Sequence, residues 1–352
     1  MLSTSGCSNE HFKSKAADCK KLKFGNEKQT MKKNIAVVCG GFSGESVVSM
    51  RSAQMVMDNI DREHYEPTKI VVSETEWYAE TTEGKSPVDR SDFSVLVSGA
   101  KKTFDGVFMI IHGTPGENGI MQGYFELLGI PTTTGDTLNM SLTFNKKMTT
   151  RVLGTFGFHV AKSITLLRGV SYDAQQIIER VGLPCFVKPN CGGSSIGTSR
   201  VNAAEDLPSA IEKAMSVDRQ IIIEEFIQGT EVTCGVIQWL GKTTALPITE
   251  IVSQKEFFDF EAKYHGHSEE ITPARIDANL YEHVQANSEA IYEYLECRGM
   301  IRVDYILRGN DIFVIEVNTT PGFSEASIIP QQAAVQGIDK KSLISAVISS
   351  CF

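Results

Sequence analysis

The sequence predicts an α/β protein of two or three domains. The chain has 352 residues, and one domain usually takes roughly 150 residues. Between residue 33 and about residue 142, strand-like apolar runs alternate with helix-like spacing, which is typical of a parallel sheet covered by helices. Nearer the C-terminus, helical spacing over residues 278–297 precedes two strand-like runs. This order indicates a further folded unit.

The composition argues against several classes of protein. With 34 basic and 43 acidic side chains the net charge is −9, so we expect no nucleic-acid partner held through its phosphates. No apolar run approaches the ~20 residues that cross a bilayer, so we expect no membrane partner. The 8 cysteines are too dilute for a disulfide scaffold, and no signal-like apolar region is present. These features predict a cytoplasmic protein.

Residues 1–30 differ from the rest of the chain. They are rich in Ser, Lys, Asn and Glu and have no apolar periodicity, so they cannot bury enough surface to offset the entropy lost on ordering. We expect a disordered extension or a mis-assigned start, with Met31 as the true first residue.

The N-terminal unit is predicted over residues 31–143. Its apolar pattern predicts strands over 35–38, 69–72 and 106–111 and helices over 46–60 and 121–128. Two unusual stretches, Gly40–Glu45 and His112–Gly119, each follow a strand directly. Because ligands of parallel sheets gather at the carboxyl ends of the strands, we expect both stretches at one site.

The central unit, predicted over residues 144–229, contains a loop rich in glycine and serine. The pattern predicts a helix over 174–181 and strands over 184–188 and 221–225, with a boundary at Gly229. The loop over 190–197 follows Lys188 and has backbone N–H groups that can approach anionic oxygens. Its composition and the preceding Lys188 indicate phosphate binding, and an ordinary turn is an equal alternative. The loop matches neither the Walker A pattern nor GxGxxG.

The C-terminal unit, predicted over residues 230–352, carries charges on two strands. Arg302 and Asp304 are two residues apart on one strand, and Glu316 and Asn318 are two apart on the next, so each pair shares a face. Asp304, Glu316 and Asn318 form an all-oxygen set suited to Mg²⁺. A structural network between Arg302 and the carboxylates is the alternative.

A turn follows the second of these strands. Thr319 to Ser324 contains Pro321 and Gly322, which favour a tight turn and let backbone N–H groups face a ligand. Arg302 and the Gly322 N–H could form a donor pair for a developing oxyanion. A plain turn is the alternative.

Together these motifs resemble those of the D-alanine–D-alanine ligases of the ATP-grasp superfamily. The resemblance covers residues 33–348 and rests on the motifs, in chain order, Gly40–Glu45, His112–Gly119, Lys188 with Gly192–Gly197, Glu261–Tyr264, Arg302–Asp304 and Glu316–Gly322. It implies a three-domain ATP-grasp architecture. An N-terminal parallel α/β domain (31–143) would precede two α+β domains, a lid (144–229) and a catalytic domain (230–352), with ATP between the last two.

The resemblance also implies a nucleotide site. Lys146, chosen over Lys147 because it follows Asn145, would contact the phosphates with Lys188, Ser194 and Ser195. The segment Glu224, Glu225 and Ile227, with Glu231, would hold adenine and ribose, although the two glutamates could also be solvated strand-end charges. A loop over 257–271 that includes Phe257 and Lys263 would close over ATP. Two Mg²⁺ or Mn²⁺ ions would bind Asp304, Glu316 and Asn318.

For the reaction, the resemblance implies that ATP phosphorylates one D-alanine to an acylphosphate, which the amine of a second D-alanine attacks. Arg302 and Gly322 would stabilise the oxyanion. Glu45 would pair with the first ammonium, His112 would lie nearby or support the loop from a buried position, and Ser327 would receive the second carboxylate. Tyr264 would hold the closing loop through Ser194 and Glu45.

The resemblance further implies a homodimer that makes a peptidoglycan precursor. Two other functions stay open on the sequence alone. One is a ligase of the same fold that uses D-lactate or D-serine as the second substrate. The other is a nucleotide-binding regulator without catalysis, which the intact set of Lys188, Asp304, Glu316 and Asn318 disfavours.

Overall fold

The computed structural model describes residues 32–253 and 268–352. Within these ranges the chain forms three sheets, each covered by helices. Residues 1–31 and 254–267 lie outside the described ranges, and with them the predicted extension and Phe257, Lys263 and Tyr264.

The N-terminal sheet contains seven strands in the order β6-β5-β4-β3-β2-β1-β7. The strands and the helices that cover them are β1 (Lys33–Gly40), α1 (Ser46–Asn59), β2 (Tyr65–Val72), β3 (Trp77–Thr81), β4 (Gly84–Asp89), β5 (Ser94–Val97), β6 (Ala100–Lys102), β7 (Gly106–Met109), α2 (Ile120–Leu128) and α3 (Thr137–Phe144). β1 pairs in parallel with β2 and β7, as the sequence predicts.

Half of this sheet was not predicted. Strands β3 to β6 extend it from β2 as an antiparallel meander. They are short and largely exposed, as the burial of β4 and β6 illustrates, so they carry no long apolar run. β1 differs because Ile35 to Cys39 are all buried, which is typical of a strand covered on both faces.

The central sheet has four antiparallel strands in the order β11-β10-β12-β9. Its elements are β9 (Ser163–Leu167), α5 (Ala174–Val181), β10 (Cys185–Pro189), β11 (Ser199–Val201), α6 (Leu207–Val217) and β12 (Gln220–Glu225). Asp173 caps α5 by accepting hydrogen bonds from the N–H groups of Gln175 and Gln176. The glycine-rich loop joins β10 to β11 and therefore lies at one end of this sheet.

The C-terminal sheet has the order β16-β15-β13-β17-β18-β8, with β14 paired to β13. Its elements are α4 (Lys146–Thr155), β8 (His159–Val160), β13 (Thr230–Trp239), β14 (Lys242–Ala245), β15 (Thr249–Ser253), β16 (Ser268–Ile271), α7 (Ala278–Tyr294), β17 (Met300–Arg308), β18 (Asp311–Asn318), α8 (Ile328–Val335) and α9 (Lys340–Ser349). β8 precedes the central sheet in the chain but pairs with β18.

One apolar core joins the N-terminal and C-terminal sheets. Val37 and Phe108 of the first sheet share a buried cluster with Phe323, Ile329 and Ile344. The Phe108 and Phe323 ring centroids are 6.0 Å apart. This shared core holds the turn after β18 against the ends of β1 and β7. Among the described residues, no helix is long and apolar enough to cross a membrane.

Candidate active site

A cavity of about 370 Å³ lies where the three sheets meet. The predicted site residues that line it come from all three predicted domains, and they are Glu45, His112, Lys146, Ser194, Glu231, Arg302, Asp304, Glu316, Asn318, Gly322 and Ser327. Other predicted residues do not line it, namely Lys188, Ser195, Glu224, Glu225 and Ile227. The cavity thus gathers the residues predicted for the amino acids and the metal, and two of those predicted for the phosphates, Lys146 and Ser194.

Glu45 stands at the start of α1 and is held by the glycine-rich loop. The Ser194 hydroxyl donates a hydrogen bond of 2.5 Å to Glu45 Oε1. Two glycines make room for the Glu45 carboxylate. A Cβ added to Gly193 would lie 2.9 Å from Glu45 Oε1, and a Cβ added to Gly113 would lie 3.0 Å from Glu45 Oε2. The loop therefore uses Gly193 to approach Glu45, a role that its sequence did not predict.

Replacing Gly193 by alanine is expected to displace the Glu45 carboxylate, because the added Cβ would lie 2.9 Å from Oε1 at the end of that flexible side chain. Overpacking of this kind costs about 1–3 kcal/mol, so we expect kcat/KM for D-alanine to fall by roughly 10- to 100-fold, as steady-state kinetics can measure. Gly44→Ala is the matched control, since its added Cβ would meet nothing within 4 Å. Equal kinetics in both variants would contradict this role of Gly193.

The backbone of this loop is strained at two serines. Ser194 and Ser195 have φ angles of 53° and 57°, a left-handed conformation that is uncommon for residues other than glycine. Such strain persists where the surroundings over-determine it, often at ligand-binding sites. At Ser194 the short bond to Glu45 supplies that constraint.

Glu117 is a second carboxylate in the cavity, and the sequence analysis did not single it out. Its Oε2 accepts a hydrogen bond of 2.6 Å from the Gly113 N–H. Loss of hydration raises the pKa of Glu117 to about 8, and the charges of Glu45 and Glu316 add to this effect. The sequence signal that could have identified Glu117 was its position inside the motif His112–Gly119. Glu45 and Glu117 line the same cavity, and the oxygens of both side chains can accept hydrogen bonds from a substrate ammonium.

Glu117 should make folding stability fall with rising pH. The carboxyl group ionises near 4.5 when unfolded and near 8 when folded, so between these values the folded state binds more protons and loses stability as pH rises. Relative to wild type, Glu117→Gln should gain ~1–3 kcal/mol between pH 5 and pH 7.5, allowing for partial exposure. Urea denaturation at both pH values measures this difference, and parallel pH curves would contradict it.

His112 is buried and fully hydrogen-bonded. Its Nδ1 lies 2.7 Å from the Thr320 carbonyl oxygen and its Nε2 lies 3.2 Å from the Ser52 hydroxyl. Burial lowers the pKa of His112; the carbonyl of Thr320 and Glu45 oppose this effect, and Arg302 adds to it. The imidazole is therefore neutral near pH 7. Of the two interpretations made from the sequence, this geometry favours buried support of the loop over direct contact with substrate.

Arg302 and Asp304 form a bidentate ion pair on β17. Arg302 Nε lies 2.8 Å from Asp304 Oδ1 and a terminal nitrogen lies 2.8 Å from Oδ2. Burial disfavours the charged guanidinium, but Asp304, Glu316 and Glu270 together outweigh this effect and raise the pKa of Arg302. Arg302 is thus a permanent cation that faces the cavity.

The predicted metal set lies together across two strands. Asp304 is opposite Glu316 and Arg302 is opposite Asn318 in the β17–β18 register. Asp304 also accepts hydrogen bonds from the Thr233 hydroxyl at 2.5 Å and from Asn318 Nδ2 at 3.0 Å. Within the described ranges no group of three or more His, Cys, Asp or Glu side chains is arranged to hold a metal. The predicted set has two carboxylates, Asp304 and Glu316, and its third member, Asn318, is an amide. The adjacent oxygen donors of these three side chains fit Mg²⁺ or Mn²⁺.

Lys146 faces the cavity at the start of α4. Its Nζ donates a hydrogen bond of 2.8 Å to the Gly192 carbonyl and lies 3.7 Å from Glu316 Oε2. Lys147 does not line the cavity, and its backbone N–H is bonded to Asn190. This geometry favours Lys146 as the phosphate ligand.

The remaining predicted nucleotide residues lie on the central sheet. Lys188 Nζ is 2.8 Å from Glu224 Oε2, with 18% and 9% of the two side chains exposed. Burial disfavours the Lys188 charge, but Glu224, Glu316 and Glu231 together outweigh this effect and raise the pKa of Lys188. Glu224 is buried, so it is not a solvated strand-end charge. Glu225 accepts a hydrogen bond from the Lys162 N–H.

The turn after β18 lies at the far side of the cavity. Ser327 Oγ accepts a hydrogen bond of 2.9 Å from the Ser324 N–H. An added Cβ on Gly322 would lie 3.2 Å from Ser327 Oγ, so glycine keeps this approach open. Gly322, Ser327 and Arg302 all line the cavity.

Solved structures share this fold. A D-Ala:D-Ser ligase from Enterococcus faecalis superposes with a TM-score of 0.80, at 32% identity, over 91% of this chain and 100% of that chain. The structure of a D-alanine–D-alanine ligase from Bacillus anthracis complexed with ATP gives a TM-score of 0.72, at 28% identity, over 91% and 96% of the two chains. Fold and site thus define an enzyme of the ATP-grasp ligase class.

Sequence comparison agrees with this class and narrows it. Residues 34–135 match the family D-ala D-ala ligase N-terminus and residues 152–349 match D-ala D-ala ligase C-terminus. A D-alanine–D-alanine ligase of Phocaeicola vulgatus is 46% identical over 324 residues, 92% of this chain and 100% of that protein. One from Porphyromonas gingivalis is 46% identical over 322 residues, 90% and 98% of the two chains. The chain belongs to the D-alanine–D-alanine ligase family.

Proposed function

We propose that this protein joins two D-alanine molecules to D-alanyl-D-alanine, with ATP converted to ADP and phosphate, as a step of peptidoglycan precursor synthesis. One observation carries the proposal. A single cavity brings together Glu45, Lys146, Arg302 and Ser327, which are far apart in the sequence. These side chains can bind an ammonium, a phosphate, an oxyanion and a carboxylate.

The reaction needs activation because a carboxylate is a poor electrophile and an ammonium is no nucleophile. We propose that transfer of the ATP γ-phosphoryl group gives D-alanyl phosphate, and that the second amine displaces phosphate from its carbonyl carbon. Glu45, with Glu117 beside it, would hold the first ammonium. Arg302 and the Gly322 N–H would stabilise the negative oxygen of the tetrahedral intermediate. Ser327 would orient the second carboxylate.

Asp304, Glu316 and Asn318 would hold Mg²⁺ or Mn²⁺. Such an ion supplies charge neutralisation to the phosphates when bound. The support for this role is the adjacent set of oxygen donors on β17 and β18. Lys146 and Arg302, which lie beside these carboxylates, already balance part of their charge.

The nucleotide would extend from this set towards the central sheet. Lys146, Ser194 and Glu231 line the cavity, and the site would continue over Lys188, Ser195, Glu224, Glu225 and Ile227. We propose domain limits at residues 143 and 229, so that the nucleotide would lie between the central and C-terminal domains. Phe257, Lys263 and Tyr264 are proposed to close it. The relative from Bacillus anthracis that is solved with ATP supports nucleotide binding in this fold.

The second substrate is the least constrained part of the proposal. The structural relative from Enterococcus faecalis is a D-Ala:D-Ser ligase, so D-serine is a specific alternative acceptor. We favour D-alanine because the relatives that are 46% identical over nine-tenths of the chain are D-alanine–D-alanine ligases.

Phosphate release with ATP and Mg²⁺ tests the proposal. We expect turnover with D-alanine and none with L-alanine, and mass spectrometry should identify D-alanyl-D-alanine as the product. D-serine and D-lactate are offered as competing acceptors with D-alanine across pH 6 to 9. A mixed product as the main species would overturn the acceptor assignment, and nucleotide binding without turnover would indicate a regulator instead.

Two further properties follow from this function as proposals. We propose a homodimer, as the family resemblance implies, and light scattering should then give twice the chain mass of 38.7 kDa. We also propose a cytoplasmic location, because the reaction consumes ATP.

A further inference from the structure

Three side chains of the N-terminal part hold the backbone on both sides of Pro321 and Gly322. The His112 imidazole lies 2.7 Å from the Thr320 carbonyl through Nδ1. The Thr320 backbone N–H is near the Glu117 carboxyl group and acts to lower the pKa of that group. The Ser52 hydroxyl accepts one of 3.1 Å from the Phe323 N–H.

The hydrogen bonds around His112 have a fixed direction. A carbonyl oxygen only accepts, so Nδ1 must carry the ring proton and donate to Thr320. In a neutral ring Nε2 is then an acceptor, and the Ser52 hydroxyl, 3.2 Å away, donates to it. Ser52 thus donates to His112 while it accepts from Phe323. The two charged groups that face this imidazole, Glu45 and Arg302, act on its protonation in opposite directions.

The surroundings of Ser52 leave little freedom for this arrangement. Ser52, on α1, and Phe323 are both fully buried, and His112 is 5% exposed. The Phe323 side chain belongs to the core shared by the N-terminal and C-terminal sheets. The Gly322 N–H therefore lies between two points, Thr320 and Phe323, that are tied to the N-terminal part of the chain.

We infer that Ser52 is a positioning residue for the oxyanion donor: by bonding His112 and the Phe323 N–H together, it sets the position of the Gly322 N–H. The inference rests on the oxyanion role proposed for Gly322. Its physical reason is that catalytic donors must be held to fractions of an ångström, since a displacement of about 1 Å can cost on the order of 10²-fold in rate. Ser52 itself touches no substrate in this arrangement.

Ser52→Ala tests the inference because it removes the acceptor of the Phe323 N–H and the donor to His112. We expect kcat for dipeptide formation to fall by about 10- to 100-fold, with the Kd for ATP and the KM values for D-alanine changed by less than about three-fold. A tetrahedral phosphinate analogue of the dipeptide should bind more weakly by a similar factor. Ser52→Thr, which keeps the hydroxyl, should restore most of the rate.

Ser49→Ala is the matched control. Ser49 lies on the same helix, is equally buried, and bonds the Ile110 carbonyl and the Gly40 N–H instead of the turn. Its kcat should stay within about three-fold of wild type. Melting curves of all variants show which of them are folded, and only folded variants are compared. If Ser52→Ala is unfolded, the kcat of Ser52→Thr and its affinity for the analogue test the role of Ser52 instead.

The possible outcomes distinguish a failure of the role inferred for Ser52 from a failure of the oxyanion site proposed for Arg302 and Gly322. An unchanged kcat in Ser52→Ala, or equal losses in Ser52→Ala and Ser49→Ala, would overturn the role of Ser52. If Arg302→Ala nevertheless lowers kcat, the oxyanion site itself stands. If neither Arg302→Ala nor Ser52→Ala affects kcat, the oxyanion assignment fails as well.

Discussion

Replacing Arg302 by alanine is expected to lower kcat by ~10²–10³, the usual effect of losing one oxyanion donor. The guanidinium faces the cavity beside Gly322 and is held by both oxygens of Asp304. Because its charge acts on an oxygen that becomes negative only during the reaction, its loss should affect kcat far more than substrate binding. Steady-state kinetics with D-alanine and ATP measure both quantities.

Arg302→Lys is the informative control. Lysine keeps the positive charge but cannot reproduce the fork that bonds both oxygens of Asp304. We expect an intermediate kcat, between those of wild type and Arg302→Ala. A change confined to KM in Arg302→Ala, with kcat unaltered, would show that Arg302 serves substrate binding instead.

Replacing Glu45 by glutamine is expected to raise the KM for the first D-alanine by roughly 10- to 100-fold. A charge-assisted contact to an ammonium contributes about 2–5 kcal/mol when buried, and Glu45 is only half-buried, so the lower end of this range applies. The amide oxygen can still accept the Ser194 hydroxyl bond. The loop should therefore stay in place, and the KM for ATP should change little.

The same substitution tests the coupling to Glu117. The Glu45 charge helps to raise the pKa of Glu117, so its removal should move the pH dependence of stability to lower pH. Asp58→Asn, at the exposed end of the same helix, is the control and should change neither the KM nor this pH dependence. Unchanged affinity for D-alanine in Glu45→Gln would argue against the assignment of Glu45.

Apolar runs and turn residues identified the buried elements well. Strand β1 was found because its apolar run is continuous and buried. Strands β17 and β18 were found because apolar residues dominate them although their burial is interrupted, and the structure adds the Asp173 cap to the predicted helix over 174–181. The alternate placement of Arg302, Asp304, Glu316 and Asn318 followed from the two-residue period of strands. Their cross-strand register confirms the shared face. The meander β3–β6 was missed because its short exposed strands lack such signals.

Other features of the site depend on contacts between distant segments. Glu45 meets Ser194, 149 residues away, and His112 meets Thr320, 208 residues away. The sequence suggested that Gly193 serves phosphate binding, whereas the structure adds its approach to Glu45. Ser52 went unnoticed because a serine in a helix carries no distinctive local pattern, whereas Glu117 lies inside the recognised motif His112–Gly119 and was not singled out within it.

The sequence by itself determined the family, the order of the motifs and which strands carry the charged residues, because each of these depends on residue type and local spacing. Only the tertiary structure decided how those charges are paired. It placed Lys188 against Glu224 and Arg302 against Asp304, gave Glu117 its raised pKa, and enclosed His112 between Ser52 and Thr320. The physical reason is that hydration loss and ion pairing depend on which distant segments pack together, and local sequence carries no measure of that packing.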